Sequence, residues 1–342
     1  MGGVRLKVLI YRLNRLRPHA LTVILLLSQS CGSEKGQLAP DPTTSEDWAV
    51  VSTPVALAFT SICAAARGEY YLLGNKFGGP IVLKYDGVGW STIPNPSIDT
   101  LLGVAENTHG DQELLLTGFS DQILAYDPRC GDMANNSCWK VRSDIDTREI
   151  YNSAIYFGQQ TKVFVVGGYE LTDGSTRGWV YGRENGIWST SLVTTPPLHG
   201  IWGSADNNVY VVGSALKIFH FDGSGWAAIQ HGKVGGQTLN DVWGIGGALL
   251  FAVGDDGTIL YFDGNSWEWL QSGVDVDLYG VWGSSTENVF CVGANGIILR
   301  YDGNVWVPMK SGTSQLLRDV TGTSDTDVLV VGDRGVVLRY LH

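Results

Sequence analysis

Short apolar runs and polar turns alternate along this chain with a fixed rhythm. Three C-terminal segments can be laid over one another: LHGIWGSADNNVYVVGSALKIFHFDGSGW from Leu198 to Trp226, LNDVWGIGGALLFAVGDDGTILYFDGNSW from Leu239 to Trp267, and LYGVWGSSTENVFCVGANGIILRYDGNVW from Leu278 to Trp306. Each breaks at turn signals into four runs. The first centres on Trp-Gly, the second is wholly apolar and ends at glycine, the third is short, and the fourth begins at a tryptophan after Asp-Gly. Glycine supplies the positive φ of a tight hairpin, and aspartate folds its carboxylate onto the following amides. Four antiparallel strands in about 40 residues, with buried inner runs, describe one blade of a β-propeller.

The rhythm extends over most of the chain. Trp48, Trp90, Trp139, Trp188, Trp226, Trp267 and Trp306 are separated by 42, 49, 49, 38, 41 and 39 residues. Such a period marks a repeat whose units bury their apolar faces against neighbours. Glycines ending the second run give the same count: Gly74, Gly118, Gly167, Gly213, Gly254, Gly293 and Gly332. The Asp-Gly-x-x-Trp hairpin is intact at Asp86, Asp222, Asp263 and Asp302, and altered after Asp127 and at Glu184-Asn-Gly-Ile-Trp188. The last repeat supplies three runs and stops, while Trp48 has no runs before it. The expected fold is therefore all-β: a seven-bladed β-propeller over residues 47–342, closed by an N-terminal strand that completes the last blade.

Composition agrees, with 45 glycines and 12 tryptophans pointing to many tight turns and short strands. The N-terminus reads differently. Residues 1–30 carry Arg5, Lys7, Arg12, Arg15 and Arg17 with no acid, then an apolar run from Ala20 to Leu27, then Ser28-Gln-Ser-Cys31. This is the pattern of a signal peptide, and its apolar run is too short to span a bilayer as a helix. Without those residues the chain keeps 18 basic and 34 acidic residues, a net charge of −16. Such a surface repels phosphate backbones and argues against a nucleic-acid partner. Residues 31–46 are polar with two prolines and read as a flexible tether.

Two resemblances follow from these motifs. The stretch ending at Cys31-Gly-Ser-Glu resembles the lipobox of bacterial lipoproteins, although Ser28 stands where leucine is usual. It implies lipidation at Cys31, export, and an outer-membrane or cell-surface location, with a secreted or periplasmic protein as the alternative. The lipid is then the membrane contact. The V-W-G and Y-D-G-x-x-W pattern resembles the WG-repeat, Asp-box-like propellers of myxobacterial-type secreted proteins and lipoproteins. It is loosely similar to propellers of photosystem assembly factors and sialidase-type proteins; the strict Ser-x-Asp-x-Gly-x-x-Trp box is absent. This resemblance implies fold and location, without a reaction.

Chemistry is sparse by comparison. Cys130 and Cys138 lie eight residues apart in a polar loop and suit a local disulfide; Cys63 and Cys291 suit buried free thiols. The regular tryptophans and the Asp-Gly acids read as wedge fillers and turn formers. Trp179 and Trp269 break the pattern and are freer to be surface contacts. No spacing calls for a metal or cofactor, and no catalytic residue is assigned.

In a propeller the first strand descends along the central channel, so residues before each Trp-Gly run ring its upper mouth. His199, Asn240, Asp241, Tyr279, Arg318 and Asp319 hold these places, and Tyr169 and Arg177 flank the longest turn on the same face. The expected function is a monomeric, non-catalytic binding or scaffold module for a protein or glycan. The alternative is a carbohydrate-active hydrolase or lyase at the channel mouth. The tether makes one prediction: Cys31→Ala leaves the domain folded but moves it from the membrane to the soluble fraction on cell fractionation.

Overall fold

The structure, a computed structural model, describes residues 47–340 apart from 66–67, 77–78, 95–100, 107–112, 119–122, 129, 131–137, 142–151, 158–161 and 171–174. Of residues 76, 106, 152, 153, 157, 169 and 170 only the backbone is described. The segments expected to be signal peptide and tether, with Cys31, lie outside the described residues.

Seven four-stranded antiparallel sheets make up the domain. Numbered by their innermost strands, the blades begin at Ala58–Ala65, Leu101–Glu106, Asn152–Phe157, Leu198–Ala205, Leu239–Ile245, Leu278–Ser285 and Leu317–Ser324. In blades 1 to 6 the next three strands in sequence add outward in order. Blade 7 takes its outermost strand from the other end of the chain: Trp48–Val50 pairs with Val337–Tyr340 in the register Trp48↔Tyr340 and Val50↔Leu338. The expected closure of the ring is thus what the fold shows, and among the described residues every blade has its four strands.

The second strand of each blade is apolar at consecutive positions because both of its faces are covered. In Asn288–Gly293, Val289 and Cys291 pack with Phe251 and Val253 of blade 5, whereas Phe290 and Val292 pack with Leu317, Val320 and Trp48 of blade 7. The core is accordingly a set of wedges, each shared by neighbouring blades.

The regular tryptophans fill these wedges. Six of the seven open an outer strand opposite an aromatic residue of the third strand, as in Trp48 with Tyr340, Trp267 with Phe262 and Trp306 with Tyr301, at centroid distances of 5.2, 5.3 and 5.3 Å; Trp188 is the second residue of its strand and faces Arg183. Trp48 and Trp306 also reach across the wedge, edge-to-face, to Phe290 and Phe251 of the preceding blades at 5.8 and 5.7 Å.

A second tryptophan set accounts for the Trp-Gly pair. A Cβ added to Gly244, Gly283 or Gly322 would lie 3.0, 2.8 or 2.6 Å from the indole of Trp202, Trp243 or Trp282. Each indole therefore lies on the glycine of the next blade; Gly244 and Gly283 in turn follow Trp243 and Trp282, which cover the blade after, whereas Gly322 follows Thr321 and ends the series. These three tryptophans are half-buried rather than fully enclosed.

Polar bonds also join blade 7 to blade 1. Tyr70 donates to the Asp327 carboxylate at 2.7 Å, and Arg339 and Thr323 donate to the same side chain at 3.0 and 2.7 Å. Cys130 and Cys138 are bonded, with their Cα atoms 5.4 Å apart, and Cys291 is a buried free thiol. Trp179 departs from the surface position expected of it. It lies in the third strand of blade 3 and is 4% exposed, whereas Trp269 is 39% exposed. Strand three faces two neighbours, so an off-pattern aromatic there is still enclosed.

Closure by the N-terminal strand should therefore dominate stability. Trp48→Ala is expected to cost about 3–5 kcal/mol, as for other large buried aromatics. Trp269→Ala should stay within about 0.5 kcal/mol, as exposed substitutions do. Equilibrium denaturant unfolding of the two variants measures the difference.

Candidate functional site

The inner strands carry an irregularity that sets the site. In all seven blades the register between the first and second strands slips at the second residue of the channel segment. The slip falls between Phe59 and Ser61, Leu101 and Gly103, Asn152 and Ala154, Leu198 and Gly200, Leu239 and Asp241, Leu278 and Gly280, and Leu317 and Asp319. A bulge of this kind re-aims side chains, because one residue is left out of the ladder. Consecutive residues, which would point to opposite faces of a regular strand, here both reach the channel.

The result is a cavity of about 220 Å³ at the channel mouth. Its lining includes His199, Asn240, Asp241, Tyr279, Arg318 and Asp319, which brings six of the eight sequence-selected binding residues together. Thr60, Ser61 and Ile62 complete the ring from blade 1, and Leu102, Val104, Ile155 and Ile201 form an apolar side. Arg177 is exposed on the third strand of blade 3, opposite Tyr169 in the ladder, and lies outside the cavity lining. The Tyr169 side chain lies outside the described residues. Arg177 is excluded because the second and third strands of blade 3 continue past the channel mouth, to Glu170 and from Thr176.

His199, Asn240 and Arg318 are each held by the turn after the second strand of their own blade. Backbone bonds first fix the turns: Ser214 N donates to Pro197 O at 3.0 Å, Asp255 N to Thr238 O at 2.9 Å and Asp333 N to Leu316 O at 2.9 Å. Side chains then meet: His199 Nε2 and Ser214 Oγ lie 3.0 Å apart, and Asn240 Nδ2 is 3.4 Å from Asp255 Oδ1. Arg318 donates from Nε and Nη2 to the two Asp333 oxygens at 2.6 and 3.2 Å. Asn240 also donates to Leu278 O of the next blade at 2.8 Å, and Tyr279 reaches Asp277 at 3.4 Å.

Asp241 and Asp319 have a different role from their neighbours. Asp241 accepts from Val242 N at 2.8 Å and, across to blade 6, from Val281 N at 2.9 Å. Asp319 accepts from Val320 N at 2.8 Å, and across to blade 1 from Ile62 N and Ser61 Oγ, both at 2.9 Å. The innermost strand is an edge, and its inward amides need acceptors. Two carboxylates supply them for four strands and fasten blade 5 to 6 and blade 7 to 1. Burial pushes the Asp241 carboxyl up to about 8, reinforced by the negative charge of Asp319. Burial likewise raises Asp319 to about 6, against the pull of its own hydrogen bonds.

These carboxylates serve as amide acceptors first, which is a weak starting point for paired acid–base chemistry. Among the described residues no group of three or more His, Cys, Asp and Glu side chains is placed to hold a metal ion. Sequence reasoning missed blade 1 at the mouth, since Phe59-Thr-Ser-Ile-Cys63 lacks Trp-Gly. Counting back from Gly74 by the spacing of the intact repeats is the signal that finds it.

No protein-family model matches the chain, and no curated protein matches it. Solved structures do resemble it in fold. YCF48 bound to D1 peptide superposes with a TM-score of 0.66 at 14% identity, covering 88% of this chain and 99% of that one. YCF48 from Cyanidioschyzon merolae gives 0.63 at 13% identity, over 86% and 98%. The WD40 β-propeller domain of Doa1 gives 0.65 at 11% identity, over 85% and 95%. At these identities the likeness is one of fold.

The buried pair makes pH a probe of the site. An unfolded aspartate titrates at about 3.9, so both groups keep protons in the folded chain that the unfolded chain releases. Their contribution is full below that value and is lost as pH rises through about 6 for Asp319 and about 8 for Asp241. The thermal midpoint should fall between pH 5 and pH 9, and Asp241→Asn should flatten that fall. A wild-type midpoint that is level over this range would mean that both carboxyls are already ionised.

Proposed function

We propose that this β-propeller is a non-catalytic protein-binding module, exported and tethered by lipid at Cys31, which engages its partner at the upper channel mouth. The observation that carries the reading is a contrast inside the chain. Blade scaffolding repeats: Trp after Asp-Gly, Trp-Gly on the inner strand, glycine closing the second strand. At the bulged position facing the mouth the residues differ, with Thr60, Leu102, His199, Asn240, Tyr279 and Arg318 in geometrically equivalent places. Fixed scaffolds with varied loops and rims are how repeat folds build recognition surfaces.

Size favours a protein over a glycan. Pockets that enclose small-molecule ligands run from about 300 Å³ upward, whereas this cavity holds about 220 Å³. It suits one side chain or chain terminus, with the surrounding turns contacting the rest of the partner's surface. The pre-anchored rim residues lower the ordering cost of association. A structural relative, YCF48, has been solved with a D1 peptide bound, which is in keeping with a peptide-binding role for this architecture.

The test compares surfaces. Proteins crosslinked to the wild-type domain in extracts of its own cells are set against those crosslinked to Asn240→Ala/Tyr279→Ala and to a lower-face control, Asn304→Ala. A partner lost only with the mouth variant, with crosslinks mapping to the mouth turns, is the expected outcome. Equal capture by all three would sink the reading.

A further inference from the structure

The channel mouth is chemically two-sided, and that asymmetry specifies the occupant further. We infer that the cavity receives a basic side chain, lysine or arginine, presented by the protein partner. This inference rests on the protein-binding reading above and adds the partner's chemistry.

One wall, from blades 2 to 4, is apolar: Leu102, Val104, Ile155 and Ile201. The facing wall, from blades 5 to 7, carries Asp241 and Asp319. Between them blade 6 has Gly280, which lets the inner strands of blades 6 and 7 lie close together; a Cβ there would lie 3.0 Å from the Asp319 Cα. Lysine and arginine combine an aliphatic stem with a cationic head, and the two walls match those two parts. A wholly apolar side chain would leave the carboxylates facing carbon, and an acidic one would be repelled.

The cavity's own basic groups do not neutralise this wall. Arg318 is engaged with Asp333 through two bonds at 2.6 and 3.2 Å, and His199 is held at Ser214. The approach is acidic as well. Asp255 meets Asn240 and Asp277 meets Tyr279, so each of these two cavity-lining side chains has a carboxylate beside it; Asp277 also accepts from Asp256 N at 3.0 Å. Charge complementarity of this kind orients a cationic partner before contact.

A cation entering here also displaces protons. The titratable and charged groups around Asp241 are Asp319, His199, Tyr279, Arg318 and, from the second strand of blade 6, the thiol of Cys291; burial keeps the Tyr279 phenol and the Cys291 thiol neutral. With the Asp241 carboxyl pushed up to about 8, a bound ammonium lowers its proton affinity, and a proton leaves to the buffer near neutral pH. Apolar filling of the cavity releases none.

Isothermal titration of the folded chain with four amino-acid amides tests this. The probes are the N-acetyl methylamides of lysine, arginine, norleucine and glutamate, titrated at pH 7 in two buffers of different ionisation enthalpy. Saturable binding of the lysine or arginine probe, at least about tenfold tighter than norleucine as expected for a close charge pair, with buffer-dependent heat, supports the inference. Asp241→Asn should reduce both the affinity and the proton release; the wild-type comparison stands without that variant. Equal binding of norleucine, preference for glutamate, absence of saturable binding by either basic probe, or binding without proton release overturns it. Those results leave the mouth free to bind a protein by other chemistry. Equal capture by the mouth and control variants would instead remove the underlying reading.

Discussion

The close approach of the seven inner strands around a narrow channel governs the rest of this structure. Strands arranged radially converge towards the axis, so residues facing the neighbouring blade must be small where backbones come together. Trp202, Trp243 and Trp282 lie directly on Gly244, Gly283 and Gly322 of the next blade. Nothing larger than hydrogen fits on those glycines without moving an indole or backbone. Farther out the wedges widen, and there the chain places its largest side chains, the tryptophans opening each outer strand. One geometric requirement thus sets both the glycine content and the tryptophan spacing.

The same convergence creates the site. An inner strand has a partner on one edge only, and its inward amides face a channel too narrow for free solvation. Asp241 and Asp319 meet that need for four strands, each spanning to the following blade. Position three of the inner strand is glycine in blades 2, 4 and 6 and aspartate in blades 5 and 7, so each aspartate points to a neighbour with a small residue there. Placing two such acids around one cavity makes them repel, and burial raises both. The scaffold tolerates that cost because the amides would otherwise be unsatisfied, at roughly 1–3 kcal/mol each.

Much of this was legible in the sequence, for reasons that differ by residue. Blade number and closure could be read from the tryptophans because a repeated steric need leaves a repeated letter. Trp48 was legible as the closing strand through its lack of preceding runs. Six mouth residues could be placed by register against Trp-Gly, or in the last blade against Thr321-Gly322, and they do meet in one cavity. Three things were hidden. The bulge leaves no mark, since a different residue occupies it in every blade, from Thr60 and Leu102 to Tyr279 and Arg318. Trp179 looked free because its position breaks the pattern, but burial in a blade is set by the strand and not by the repeat. The carboxylates of Asp241 and Asp319 looked like rim acids, and only the three-dimensional arrangement shows their oxygens turned to backbone amides.

That last point bears on how a propeller of this kind acquires function. A side chain that exists to satisfy the scaffold is held rigidly, is shielded from solvent, and carries whatever charge its chemistry dictates. Here the requirement for acceptors at the axis brings negative charge into a cavity whose opposite wall needs only to be apolar. The electrostatic character of the mouth is therefore a by-product of closing the ring, and the variable rim residues refine it. Arg318 illustrates the hierarchy: beside Asp319 in sequence, it turns to Asp333 in the adjoining turn and leaves the axial acids to the channel. On the proposed binding role, recognition begins from a constraint of assembly, and a partner would have to complement what that constraint leaves exposed.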